Sequence, residues 1–125
     1  SWAYGDAYDK LIKMLDADPR FNYKDYSVPK DDPIHNAPNA TALSKAIQDQ
    51  MRFCDVIIIL AGVYSTYSSW INKEIDIAQG FTNPKPILAI EPWASEKTSS
   101  VVKNNADKIV KWNTSSIVSG IRELS

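Results

Sequence analysis

The sequence predicts a parallel α/β sheet covered by helices on both faces. Three observations carry that prediction. Strand-like and helix-like stretches alternate through most of the 125 residues. Two of the strand-like stretches, Asp55 to Ala61 and Pro86 to Ile90, are nearly unbroken aliphatic runs. Neither shows the in-and-out alternation of a sheet with one wet face, so both suit strands buried on two sides. The length accommodates one domain, 1–125, and excludes two full catalytic domains.

Taken in order, Ala7, Tyr8, Leu11, Ile12, Met14 and Leu15 recur at helical spacing, and Asp18-Pro19 closes a helix expected from about Asp6 to Asp16. Phe21 to Tyr26 alternates aromatic and polar residues, which predicts a short strand near a sheet edge. Val28 to Asn39 holds Pro29, Pro33, Pro38 and the sole histidine, His35, and reads as a long structured loop. Asn39 or Thr41 caps the next helix, whose apolar face is Leu43, Ala46, Ile47 and Met51, up to Arg52. After the strand from Asp55 to Ala61, Gly62 to Ser68 is expected as a polar, aromatic loop and Ser69 to Gln79 as a helix ended by Gly80 and Pro84. The strand from Pro86 to Ile90 precedes a loop from Glu91 to Ser100. Ile109 to Trp112 gives a last strand, and Ser115 to Leu124 a closing helix with Ile117, Val118, Ile121 and Leu124 inward. Ser1 to Gly5 has the character of a loop that follows a strand, so the chain is expected to be N-terminally truncated.

Composition excludes several functions. A net charge of -1 provides no basic field for nucleic acid or anionic lipid. The longest apolar run, Val56 to Ala61, is far short of the ~20 residues that cross a bilayer. The single Cys54 cannot form an internal disulfide and no secretory pattern is visible, so a cytoplasmic location and a buried, inert thiol are expected. Four dispersed glycines rule out Rossmann and P-loop phosphate cradles, and a lone His35 makes no metal site. Asn39-Ala-Thr41 and Asn113-Thr-Ser115 match the glycosylation pattern but read as helix starts.

One residue stands out of pattern. Positions 71, 74, 75 and 78 follow the spacing of a core-facing stripe, and Ile71, Ile75 and Ala78 obey it while Glu74 does not. Its neighbours three and four residues away are Trp70, Ile71, Ile77 and Ala78, which supply no cation at helical spacing. On the residues alone, Glu74 is either a partly desolvated functional carboxylate or a structural one, hydrated at the stripe's edge or paired with a distant Lys or Arg.

The stretch from Ser68 to Ile75, SSWINKEI, resembles the helix motif of TIR domains, in which a Trp is followed four positions later by the catalytic Glu of the NAD-cleaving members; Trp70 and Glu74 stand there. SWAYGDAYDKL, YSVPKDDPIH, AIQDQM, DVIIILAGVYSTYSSWINKEI, PILAIEPW and KWNTSSIVSGIREL extend the likeness over nearly the whole chain, which resembles the TIR-like family of the Thoeris anti-phage systems. The resemblance implies a flavodoxin-like fold with strand order 2-1-3-4-5, whose first, central strand is missing from this chain. It also implies conversion of NAD, as substrate rather than cofactor, into a cyclic ADP-ribose signal read by a separate effector. Self-association through TIR surfaces is implied as well.

Glu74 is then the catalytic carboxylate. The substrate-binding candidates are Ser1, Trp2 and Tyr4 after the missing strand, Tyr64 and Tyr67 after the strand ending at Ala61, and His35 in the loop that corresponds to the TIR BB loop. Trp70, which aims the helix, completes the set. The competing function class is a non-catalytic TIR-like adaptor. A phospho-receiver is set aside because Ala61-Gly62 stands where its Asp belongs, and a nucleoside deoxyribosyltransferase is a distant alternative.

Overall fold

The computed structural model describes residues 6–27, 38–91 and 99–125, without the side chains of 63–67. Its elements run α1 (Asp6–Asp16), α2 (Ala40–Met51), β1 (Ile57–Leu60), a 3₁₀ turn (Ala61–Val63), α3 (Tyr64–Gly80), β2 (Ile87–Ile90), α4 (Ser100–Asn105), β3 (Lys108–Val110) and α5 (Thr114–Leu124). The three strands form one parallel sheet in the order β1-β2-β3, with Ile57 opposite Ile87 and Leu88 opposite Lys108. Ile59, Leu88, Ala89 and Ile90 are wholly inaccessible to solvent, as the aliphatic runs require.

Each helix begins where the sequence supplies the missing hydrogen-bond partners. Asp6 and Asp9 in the first turn of α1 and Lys13 in its last complement the helix dipole, and Leu11 and Leu15 are buried. Asn39 accepts from the Ala42 amide at 2.8 Å and Asn113 from the Ser116 amide at 2.8 Å, so both glycosylation-like triplets are helix caps. Asp107 clamps the start of the β2-β3 pairing: its carboxylate accepts from the Ile87 amide at 2.7 Å and its own amide donates to the Ile87 carbonyl at 2.8 Å. α3 packs against β1 and α2, α4 against β2, and α5 against β2, β3 and α1. Thr114 at the start of α5 donates to the Met14 carbonyl at 2.8 Å, tying those two helices.

Three expectations need correction. The strand expected from Phe21 to Tyr26 is not formed: it has no ladder partner among the described residues, and side-chain contacts hold it instead. The segment from Gly62 to Ser68 is not a loop, because Ala61–Val63 makes a 3₁₀ turn that leads directly into α3 at Tyr64. No proline interrupts 61–80, and Tyr64 and Tyr67 extend the periodicity of Ile71, Ile75 and Ala78 backwards, so the helix starts early. Within the stretch expected as loop and beyond it, α4 was missed; six residues with two adjacent valines leave almost no periodic signal, and only Ser99, accepting from the Val101 amide, marks its start.

The Ile57 amide donates to the Pro86 carbonyl at 2.9 Å. Because peptide groups alternate along a strand, Ile57 and Ile59 bond toward β2 while the peptide groups of Ile58 and Leu60 point the other way. Strand order 2-1-3-4-5 puts a strand there, between 21–26 and β1; among the described residues that place is a cleft of about 960 Å³. Amide exchange should therefore alternate, with Ile58 and Leu60 exchanging at least tenfold faster than Ile57 and Ile59. Equal protection at all four would show a further strand paired with this edge. On the opposite side of the sheet's core, a Cβ at Gly120 would lie 2.9 Å from a methyl of Leu88, which is fully enclosed. Gly120→Val should cost about 1–3 kcal/mol in urea denaturation, and an unchanged midpoint would show slack in the α5 contact.

Candidate functional site

The site is built on α3. Ile71 and Ala78 are inaccessible and Ile75 nearly so, which fixes the rotation of the helix against the sheet. That rotation leaves Glu74 beside the buried stripe, half-buried, on the wall of the cleft. Trp70 lies one turn earlier on the same wall, half-buried and packed against the core. The cleft runs along the whole outer edge of β1, from Cys54 and Asp55 to Leu60, with 20–27 as its opposite wall. Glu74 thus lines the cleft that borders the outer edge of β1.

The opposite wall is fastened by side chains. Tyr8 donates to the Asp25 carboxylate, Tyr23 to Asp16 at 2.7 Å, Gln50 to the Tyr26 carbonyl at 3.1 Å, and Arg122 to the Arg20 carbonyl at 3.0 Å. Phe21 and Tyr23 stack with ring centroids 5.5 Å apart, and the Arg122 guanidinium lies over the Phe21 ring. The cleft is lined by the carboxylates of Asp25, Asp55 and Glu74, the indole of Trp70, the phenols of Tyr8, Tyr23 and Tyr26, and the cations Arg20, Lys24 and Arg122.

A family model described as Thoeris protein ThsB, TIR-like domain, matches residues 1–97. The chain belongs to this family. A search of curated proteins finds no match. The matched stretch takes in β1, α3 with Trp70 and Glu74, and β2; α4, β3 and α5 lie beyond it.

In this Thoeris TIR-like domain the expected site residues fall into three groups. Glu74 and Trp70 share one wall of the cleft, as their spacing implies. Tyr64 and Tyr67 belong to the first turns of α3 and not to a loop, and their side chains lie outside the described ones. Ser1, Trp2, Tyr4 and His35 lie outside the described residues. The phenols of Tyr8 and Tyr23 and the carboxylates of Asp16 and Asp25 line or fasten the cleft, and sequence reasoning did not single them out. Their partners are 17 and 7 residues apart, spacings to which no local periodicity points. No described helix is long and apolar enough to cross a membrane.

Burial pushes the Cys54 thiol up, Lys85 opposes this, and the carboxylates of Asp55, Asp25 and Glu74 add to it. Cys54 is half-buried and not fully buried, but its raised thiol agrees with an inert role. At Asp25 burial pushes the carboxyl up, and hydrogen bonds from Ser27 and Tyr8 more than offset it, leaving it below the usual carboxylate range. Burial, and then the hydrogen bonds to Asp25 and Asp16, push Tyr8 and Tyr23 up to about 12.

These shifts have signs that can be checked. A phenol whose pKa rises on folding contributes stability that is full below 10.0 and lost as pH climbs through about 12. The lowered Asp25 contributes stability above its ordinary 3.8 that is lost as pH falls through its depressed folded value. Spectrophotometric titration of the folded protein should therefore show Tyr8 and Tyr23 ionising late, near 12, with Tyr8→Phe and Tyr23→Phe each removing one late phenol. Loss of phenols titrating near 10 in both variants would contradict the two hydrogen bonds.

Proposed function

We propose that this Thoeris TIR-like domain is an NAD-cleaving enzyme that releases nicotinamide and turns the remainder into a cyclic ADP-ribose-type signal for a separate effector. NAD is the substrate, and no further cofactor is invoked. The observation that carries this reading is Glu74: a half-buried carboxylate on a cleft wall, one turn after Trp70, in a member of this defence family.

The chemistry asks little else of the protein. Nicotinamide leaves a cationic pyridinium as a neutral pyridine, so the leaving group needs no proton and no general acid. The paired carboxylates of most glycosidases are therefore unnecessary. What remains is to hold the ribose and to stabilise the positive charge that grows at its anomeric carbon as the C–N bond breaks. One carboxylate, already desolvated and fixed on a helix, does both: it accepts hydrogen bonds from ribose hydroxyls and faces the oxocarbenium. Trp70, one turn earlier and packed against the core, helps hold the helix that carries it. Cyclisation in place of hydrolysis additionally requires that water be excluded and that an internal nucleophile of the ADP-ribose itself be held near the anomeric carbon.

Glu74→Gln separates this role from a structural one. The amide keeps the shape of the side chain and removes its charge, so nicotinamide release should fall by ~10²–10³ or more while the melting curve stays where it was. Equal release by wild type and variant would move catalysis away from Glu74. A lost melt in the variant would instead assign the carboxylate to stability.

A further inference from the structure

We draw no further inference here: the strongest candidate, the exposed Phe53 ring with the Arg52 guanidinium over it in the segment between α2 and β1, lines the same cleft beside β1 where strand order 2-1-3-4-5 puts a strand, so nothing in the structure shows what covers it.

Discussion

Everything in this domain is hung from the parallel pairing of β1 with β2. Both strands are aliphatic throughout, and Ile59, Leu88, Ala89 and Ile90 lose all contact with water. Four residues of pairing are a short ladder, and its strength comes from having both faces covered rather than from its length. Truncating Ile59, Leu88 or Ile90 to alanine removes about 2–5 kcal/mol, a large share of what a domain of this size holds in total. The chain leaves β1 by a single 3₁₀ turn, so the position of α3 is set by where β1 ends, and the position of Glu74 by where α3 packs.

That dependence explains how an ionisable group comes to rest at the edge of an apolar stripe. The energy of burying Ile71, Ile75 and Ala78 far exceeds the partial desolvation of one carboxylate, so the helix keeps its rotation and Glu74 accepts the position. A carboxylate held in this way is preorganised, since its solvent has been displaced by folding and not by the ligand. The opposite wall is governed by different physics, being fastened by hydrogen bonds among phenols, carboxylates, an amide and a guanidinium.

The parallel α/β class, α1, both asparagine caps and the two aliphatic strands were legible in the sequence because each has a local signature. The half-buried place of Glu74 beside the apolar stripe was legible because it violates one. What escaped was non-local or too short to be periodic. The aromatic–polar alternation of 21–26 has strand character, but a strand exists only with a neighbour to bond, and the described residues give it none. The early start of α3 escaped because Gly62 and the serines after it look like turn residues, whereas the absence of proline and the apolar period were the stronger signals. The phenol–carboxylate ties that fasten the cleft join positions 17 and 7 apart, a relation that only the folded chain reveals.

The central claim is that this fold places a charge-stabilising carboxylate where the nicotinamide–ribose bond of NAD is broken. The most direct test is a secondary isotope effect at the anomeric hydrogen of the nicotinamide ribose, measured on nicotinamide release by the wild-type protein. An oxocarbenium developing opposite Glu74 predicts a clear normal effect, because the anomeric carbon flattens before any nucleophile bonds to it. No release of nicotinamide, or release with no isotope effect, would contradict the account.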